Sequence, residues 1–410
     1  MEISRRVFVK SGAMAMVSLG FAPSFLARAA EGATTRTKLL VAIFQRGAVD
    51  GLNMVVPYGE ADYYKLRPTI AIPRPGEAEG GVDLDGFFAL HPRMEALKPL
   101  WDNSALAIVH ACGSPDQTRS HFDAQDYMET ATPGIKSTRD GWLNRCLQSI
   151  GSDTSPLRGV ALTRQMPRSL QGHAPTLAVG NVDQFNVRGG MDAERQLETA
   201  FAGSSDSLLN GSAKSAFEAM RTLRGSTSGP YTPRAGVEYP RSPFGQALQE
   251  IARIAKADVG LEIAFAEATN WDHHVAEGGT QGQIAQRLDD FARGLSALAA
   301  DLGERLSDTV ILTMSEFGRA VAENGNRGTD HGHGNAMLLV GGPVKGKKVY
   351  GKWPGLGADQ RFEGRDLAVT TDFRDVFAEV ATRHLSLSTE AMGRVFPRYA
   401  SAGPIGLIRV

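Results

Sequence analysis

The stretch from residue 308 to residue 335 constrains the fold of this chain more than any other part of the sequence. It opens on an apolar run at residues 310–312, bounded on both sides by polar residues. Such a run is typical of a strand that helices cover on both faces, as in a parallel sheet. Further apolar runs at residues 38–45, 105–111 and 336–340 have the same character. Together these runs predict an α/β protein with a buried, largely parallel sheet.

The loop that follows residues 310–312 carries a concentration of polar chemistry. It is rich in Gly and Asn and ends with an acid and two imidazoles separated by glycine, at Asp330, His331 and His333. Ligands and catalytic groups gather in loops beyond the carboxyl ends of strands in open α/β sheets. The sequence therefore predicts that this loop supplies half of a metal site.

Other segments predict what covers the sheet. Apolar residues recur at alternating spacings of four and three between Ile284 and Leu302, which predicts an amphipathic helix of several turns packed on the sheet. The composition changes at residues 190–256, where predicted helices alternate with loops rich in Gly, Ser and Pro, and this segment is expected to be a helical insertion or lid. Residues 63–72 are polar and broken by prolines, which favours a surface excursion. Residues 344–348 are expected to form a hairpin turn.

The N-terminus has the features of an export signal. Residues 4–10 read SRRVFVK, a twin-arginine pattern, and an apolar region at 13–26 precedes a small-x-small cleavage site at 27–29. This apolar region contains Gly and Pro and is too short to serve as a stable membrane anchor. We therefore predict a signal peptide at residues 1–29 and a single mature domain at 30–410. The mature protein is expected to be periplasmic or secreted, exported already folded by the twin-arginine translocase.

Composition excludes several classes of protein. The 410 residues are 42% hydrophobic, enough for a large core, and the net charge of -1 argues against nucleic acid as a partner. Only two cysteines are present, Cys112 and Cys146, which excludes a disulfide framework or a cysteine-based zinc site. One disulfide or two buried free thiols both remain open, and buried thiols are the commoner case.

Two further segments offer the other half of a metal site. Asp272 and His274 directly follow the apolar residues 259–269, and Asp50 lies in the Gly-bearing loop after the first predicted strand. Taken singly, each has a plain structural explanation, since Asp before Gly is a common turn residue. Jointly, acids and imidazoles in such loops suit zinc, manganese or iron better than calcium. One or two divalent ions are expected, with zinc or manganese favoured.

Ser120 precedes a predicted helix that follows the second apolar run. Its hydroxyl could cap that helix. Equally, a hydroxyl at a helix N-terminus is where a nucleophile would stand, because the free backbone N–H groups hold an anionic ester. Both alternatives stay open.

Five segments together resemble a known superfamily. They are QRGAVDGLNMVVP, RSHFDAQDYMETATPG, WDHH, SEFGR and GTDHGHGN, and they spread over most of the mature chain. In their order and residue types they resemble the alkaline phosphatase and sulfatase superfamily, and more closely an exported family of that superfamily that is labelled a domain of unknown function. The resemblance implies a three-layer α/β/α sandwich with a mostly parallel central sheet.

The resemblance also implies a ligand set for two metals. One metal would be surrounded by Asp50, Ser120, Asp330 and His331, and the other by Asp272, His274 and His333. Glu316 stands at the strand end, where relatives often carry the acid. It could be a ligand, a group that orients a ligand, or the partner of Arg319 in a salt bridge.

The expected activity is hydrolysis of phosphate or sulfate esters by a periplasmic metal-dependent enzyme. The residues after the second apolar run do not fit the cysteine pattern that sulfatases convert to formylglycine, so a hydroxyl or a metal-bound water would have to attack. Arg46, Arg119 and Arg319 are candidates for binding the ester oxygens. The alternatives are a non-catalytic protein that binds an envelope polymer or partner, and a metal-dependent mutase or transferase.

Overall fold

The computed structural model describes residues 37–151, 155–183, 190–202, 207–226 and 230–409. The predicted signal peptide, residues 1–29, lies outside these ranges. The strands of the described residues are β1 (Leu39–Gln45), β2 (Val55–Val56), β3 (Val82–Asp83), β4 (Ala89–Leu90), β5 (Leu106–Gly113), β6 (Gly159–Ala161), β7 (Leu177–Ala178), β8 (Ile263–Ala268), β9 (Thr309–Met314), β10 (Asn335–Gly341), β11 (Lys348–Tyr350) and β12 (Thr371–Asp372).

Helices connect most of these strands. They are α1 (Gly51–Met54), α2 (Ala61–Leu66), α3 (Lys98–Asp102), α4 (His121–Thr130), α5 (Trp142–Ile150), α6 (Gly190–Ala202), α7 (Ser207–Ser226), α8 (Pro243–Lys256), α9 (Gln283–Leu302), α10 (Phe373–Glu379) and α11 (Thr389–Val395). Short 3-10 helices occupy Pro92–Leu97, Arg168–Leu170 and Gly303–Asp308, and a π-helical turn continues α10 over Val380–His384.

Among the described residues, nine strands form one sheet in the order β11-β5-β10-β9-β1-β8-β6-β7, with β12 paired to β5. Every pairing is parallel except those of β10, which runs antiparallel to both β5 and β9. The prediction of a mostly parallel sheet is confirmed. The expected hairpin at residues 344–348 is wrong, because β10 and β11 both pair with β5 and lie on opposite sides of it.

The two faces of the sheet are covered by different helices. Alternate residues of β1 point to opposite faces, so that Leu39, Val41 and Ile43 pack in one hydrophobic cluster and Leu40, Ala42 and Phe44 in the other. Helices α8 and α9 contribute to the first cluster, and α5, α10 and α11 to the second. This arrangement confirms the predicted α/β/α sandwich, and it explains why the central strands are apolar throughout.

A small antiparallel sheet, in the order β2-β4-β3, lies outside the main sheet. The preceding segment 63–72 was predicted to be a surface excursion, and this is wrong. Tyr63, Ile70 and Ile72 are buried, and the Arg67 guanidinium is fully buried as well. The prediction failed because the Arg67 guanidinium forms an ion pair with the Asp50 carboxylate, which allows it to be buried. The sequence of residues 63–72 alone does not show this partner.

Helices α6 and α7 lie in the segment expected to be an insertion, residues 190–256. The α7 residues Ala219 and Leu223 join the first hydrophobic cluster, and ion pairs from Arg221 and Arg224 link α7 to Glu198 and Glu194 of α6. In the described part of the chain, no helix is both long enough and apolar enough to cross a membrane.

Candidate metal centre

Three loops at one edge of the sheet supply the functional side chains. Strands β8 and β9 flank β1 and run parallel to it, so their carboxyl ends meet at the same edge. The loop after β8 carries Asp272 and His274, and the loop after β9 carries Glu316 and His331. The third contribution is His121, the first residue of α4, which follows β5. The order of the strands in the sheet therefore brings together groups that lie up to 210 residues apart in sequence.

The side chains of His121, Asp272, His274 and His331 lie together, and we call them the histidine cluster. The Nε2 atom of His331 lies 3.0 Å from Nε2 of His121 and 2.9 Å from Nε2 of His274. The Asp272 carboxylate lies 3.4 Å from His121, 3.1 Å from His274 and 3.3 Å from His331. Among the described residues, His121, Asp272 and His331 are the group identified as able to share a metal ion.

The tautomers of the three imidazoles follow from what their Nδ1 atoms face. Nδ1 of His121 faces Glu316 at 2.8 Å, Nδ1 of His331 faces the Arg119 carbonyl at 2.9 Å, and Nδ1 of His274 faces Asp330 at 3.3 Å. A carbonyl or carboxylate oxygen can only accept, so each neutral ring carries its proton on Nδ1. The Nε2 lone pair of His331 then faces those of His121 and His274, and a proton or a cation must lie at these contacts.

These distances fit a small divalent cation. Four ligands around zinc, with bonds of about 2.0–2.1 Å, stand about 3.3–3.4 Å from one another in a tetrahedron. Among His121, Asp272 and His331 the separations are 3.0 to 3.4 Å, and His274 adds contacts of 2.9 Å to His331 and 3.1 Å to Asp272 but stands outside this group of three. Acceptors behind the ligating histidines, which fix ring orientation, are the usual arrangement around protein-bound metals. The donor set of two imidazoles and one carboxylate, from His121, His331 and Asp272, therefore fits zinc or a similar ion, with His274 beside it.

Glu316 lies behind His121. It is fully buried, and its Oε1 accepts hydrogen bonds from His121 Nδ1, from Gln125 Nε2 at 2.7 Å and from the Gly47 amide at 2.9 Å. Burial favours the neutral acid, but the hydrogen bonds from His121 and Gln125 outweigh burial and lower the pKa of Glu316. The same hydrogen bond raises the pKa of His121 against the opposing effect of burial. Of the three roles left open by the sequence, this position matches a group that orients a ligand.

Arg319 holds Asp272 in place. Its buried guanidinium donates to Asp272 Oδ1 at 2.6 Å and to backbone carbonyls of all the loops around it, which belong to Gly47, Ala48, Trp271 and Thr329. Burial opposes ionisation of Asp272, but the hydrogen bond and charge of Arg319 prevail and lower its pKa to about 2. Asp272 is thus a carboxylate at any physiological pH, as a metal ligand must be.

Several residues predicted for the site have other partners. Asp50 caps α1 and forms a buried ion pair with Arg67. The ring of His333 stacks on Phe362, with centroids 4.6 Å apart. Ser120 is the N-cap residue of α4, yet its side chain makes no capping hydrogen bond.

The other two candidate arginines are already paired with carboxylates. Arg119 binds Asp366 and Glu363. Arg46 binds Glu129 and Glu267. It also lines a cavity of 810 Å³ whose wall includes Trp271, the residue before Asp272.

His121 was not among the predicted ligands. The search for ligands followed loops after strands, whereas His121 lies within a segment that reads as the start of a helix. The available signal was its position directly after Ser120, at a helix N-terminus beyond a strand.

The two cysteines are free and buried, so the alternative of a disulfide is excluded.

Comparison with solved structures gives distant matches. A sulfatase from Pseudoalteromonas sp. (PsFucS1) is 11% identical with a TM-score of 0.38, covering 93% of this chain and 75% of that chain. The C-terminal periplasmic domain of EcEptC from Escherichia coli, in complex with Zn, is 10% identical with a TM-score of 0.33, covering 75% and 73%. A phosphonate monoester hydrolase of Agrobacterium radiobacter is 11% identical with a TM-score of 0.34, covering 86% and 74%.

No curated protein sequence matches this chain. A family model does match, over residues 104–396, and its description is "Protein of unknown function (DUF1501)". The matched segment includes the whole histidine cluster together with Glu316 and Arg319. The chain belongs to the DUF1501 family.

Proposed function

We propose that this protein is an exported metal-dependent hydrolase of phosphate or sulfate esters. The observation that carries the proposal is the convergence of the Nε2 atoms of His121 and His331 and the Asp272 carboxylate on one point at the edge of the sheet. A site of this kind, open to solvent, is where α/β proteins bind and transform ligands. The resemblance to the alkaline phosphatase and sulfatase superfamily supports ester hydrolysis as the reaction.

The ligand geometry favours a single ion, with zinc ahead of manganese because imidazole and a tetrahedral arrangement suit zinc best. A second ion would need Asp50, which is neutralised by Arg67, or His333, which stacks on Phe362. When bound, a divalent cation supplies Lewis-acid stabilisation of an ester oxygen. Asp330 faces His274 Nδ1 and would orient the imidazole ring of His274 beside the cluster.

The chain supplies the remaining functions. Arg319 fixes the carboxylate of Asp272, and Glu316 fixes the ring of His121. The hydroxyl of Ser120, one residue before His121, is the proposed nucleophile, and water is the alternative. The first-turn amides of α4 beside Ser120 would bind the anionic ester oxygens.

We further propose that the protein is exported to the periplasm through the twin-arginine pathway and that residues 1–29 are removed. Residues 190–256 are proposed to be a helical insertion in the mature domain. The support is the SRRVFVK pattern at residues 4–10. Export can be tested by fractionation of cells that express the full chain with Arg5 and Arg6 intact or both changed to lysine. Retention of the lysine variant in the cytoplasm is the expected result.

One observation favours a second candidate, a non-catalytic binding protein on the same scaffold. Arg46 and Arg119, which were expected to bind ester oxygens, are each paired with two carboxylates. A site built only to hold a metal would need no free arginine. Hydrolysis by the metal-loaded protein decides between the two candidates.

The test begins with the metal content of the purified mature chain, measured by elemental analysis. One equivalent of zinc or manganese is expected, and hydrolysis of p-nitrophenyl phosphate or sulfate should depend on it. His331→Ala should lower both metal content and activity. His173→Ala is the control, because His173 is an exposed histidine. A metal-free wild-type chain that cannot bind either ion in titration would refute the proposal.

A further inference from the structure

The cavity of 810 Å³ that Arg46 lines lies at the carboxyl ends of β6 and β8, at the same edge of the sheet as the metal centre. Its walls come from the loops after these two strands, residues 162–168 and 269–271, and from side chains of α8 and α9. Open α/β sheets bind their ligands in crevices at this edge. The position of the cavity is therefore that of a binding site.

The cavity is much larger than an inorganic anion. Its volume of 810 Å³ falls within the range of about 300–1,000 Å³ that is usual for sites of organic ligands. A water molecule takes up about 30 Å³ in the liquid, so a phosphate or sulfate ion would fill only a small part of this space. The volume indicates an organic ligand with more than one ring.

The charges around the cavity balance one another. Among the described residues, four arginines and three acids line it, and Arg46 lies 2.7 Å from one of these acids, Glu267. A nucleic acid or another polyanion would require a surplus of positive charge. An aliphatic chain would leave the charged groups without water or partners. The wall therefore suits a ligand that is polar and uncharged.

Some of the lining side chains have unused capacity for hydrogen bonds. Within the described ranges, the side chains of Arg164, Arg287 and Asp290 have no hydrogen-bond or ion-pair partner. Arg287 and Asp290 are three residues apart on α9 and so lie on one face of the helix. A guanidinium can only donate and a carboxylate can only accept, whereas a hydroxyl does both. A ligand with adjacent hydroxyl groups would satisfy this donor and this acceptor together.

Aromatic side chains form another part of the wall. Phe244 of α8 and Phe291 of α9 are stacked with centroids 5.6 Å apart, and Trp271 meets Phe291 edge-on at 5.8 Å. All three are at most 6% exposed, so packing fixes their positions. A sugar ring has apolar C–H groups on its faces and hydroxyl groups at its edge. It therefore matches a wall that combines fixed aromatic groups with free donors and acceptors.

We propose that this cavity is a carbohydrate-binding site. Its ligand is a neutral oligosaccharide or an uncharged segment of a larger glycan. Arg164, Arg287 and Asp290 bind the hydroxyl groups, and the aromatic side chains support the faces of the rings. The proposal goes beyond the proposed function, because it concerns a second site and requires no reaction.

Hydrogen bonds join the cavity to the metal centre. Arg46, which lines the cavity, donates to Gln125 Oε1 at 3.1 Å, and Gln125 Nε2 donates to Glu316. Trp271, which also lines the cavity, has its carbonyl bound by Arg319 at 3.0 Å. The two sites thus share a wall, but none of the four members of the histidine cluster lines the cavity. They can therefore be tested separately.

The experiment measures binding of the fluorescently labelled mature chain to an array of immobilised neutral and charged glycans, with a peptide array beside it. Glycans that bind are then titrated as free oligosaccharides by calorimetry. Wild type should bind at least one neutral glycan. Arg287→Ala should weaken this binding about tenfold or more, as expected when a hydrogen bond to a charged group is lost. Ala247→Trp, which fills the cavity from α8, should abolish it.

Arg293→Ala is the matched control for Arg287→Ala. Arg293 is an exposed arginine of the same helix that does not line the cavity, so its loss should leave glycan binding unchanged. Thermal unfolding and zinc content show whether each variant is folded. If Ala247→Trp is unfolded, the Arg164→Ala, Arg287→Ala double variant replaces it, since both of these side chains are exposed.

Three results would overturn the proposal. They are the absence of binding to any neutral glycan by wild type, neutral-glycan binding that survives in the folded cavity variants, and binding to peptides alone. The hydrolase fails differently. His331→Ala should lose zinc and keep glycan binding, whereas loss of both would place the glycan at the metal and also overturn the proposal. A chain that hydrolyses esters but binds no neutral glycan keeps the hydrolase and refutes the carbohydrate site alone.

Discussion

Changing Glu316 to glutamine should weaken metal binding without unfolding the protein. The carboxylate stands behind His121 and is buried, and its Oε1 accepts from three donors, among them His121 Nδ1 at 2.8 Å. In Glu316→Gln the amide oxygen can take the place of Oε1 and keep these hydrogen bonds. The amide nitrogen can take the place of Oε2 and donate to Ser315 Oγ, which lies 3.2 Å away. What is lost is the negative charge that makes the imidazole of His121 a stronger ligand.

The magnitude follows from the loss of that charge. Removing a group that orients and polarises a metal-ligating histidine typically costs 10–100-fold in metal affinity. A factor of this size corresponds to about 1.4–2.7 kcal/mol of binding free energy. The free energy of unfolding of the metal-free chain should change by less, because the variant keeps the shape and the hydrogen bonds of the carboxylate.

The assay is competition for zinc against a chromophoric chelator, paired with urea unfolding of the metal-free protein. Glu379→Gln provides the control, since Glu379 is another buried carboxylate that accepts backbone amides, those of Gly406 and Ile408. That variant should alter stability and leave zinc affinity as it is. A Glu316→Gln chain that binds zinc as tightly as wild type would show that the strength of His121 as a ligand does not depend on this charge.

Three further results are expected. Arg319→Met should destabilise the folded chain by about 2–4 kcal/mol in urea unfolding, because it leaves buried carbonyls and Asp272 without their donor. Burial lowers the pKa of His384 to about 4, so the folded state resists its protonation. The stabilisation from this group is complete above about pH 6.5 and is lost as pH falls toward 4, by up to about 3 kcal/mol. His384→Gln should remove this share of the pH dependence in thermal unfolding and leave the shares of His91, His110 and His273, whose pKa burial also lowers to about 4. Cys112 and Cys146 are buried and burial raises the pKa of both thiols, so neither should react with a thiol reagent at pH 8 until the protein is unfolded, and fast labelling of the native chain would contradict this.

The strands and the amphipathic helices could be predicted from the sequence because they depend on local patterns. The apolar runs at β1, β5, β9 and β10 mark strands that are covered on both faces, and the spacing in α9 marks its buried stripe. The direction of each strand could not be predicted from local patterns. The run in β10 is as apolar as those of the parallel strands of the sheet, because burial and not direction determines its composition, so its antiparallel pairing could not be predicted from the run.

The composition of the site was harder to predict, because it depends on contacts between segments that are distant in sequence. The ligand role of His121 depends on the sheet order that brings the start of α4 to the loops after β8 and β9. The partner of Asp50 is Arg67, which lies in a segment that was predicted to be exposed but is itself buried. Each of these outcomes was decided by burial and by a distant partner.

The antiparallel pairing of β9 with β10 has a consequence for engineering. Residues 315–334 leave and re-enter the sheet at the same edge, and backbone hydrogen bonds such as Gly332 N to Gly318 O close the base of this excursion. Its tip, Gly325 to Arg327, is exposed, and Gly325 has no atom near the position of a side chain. Loop length is a weak determinant of stability, at about 0.6 kcal/mol per doubling. The carbonyls of Asn326 and Arg327 accept hydrogen bonds from the amides of Ala276 and Glu277, just after His274, so a fluorophore attached through Gly325→Cys, which leaves these bonds in place, should report on metal occupancy.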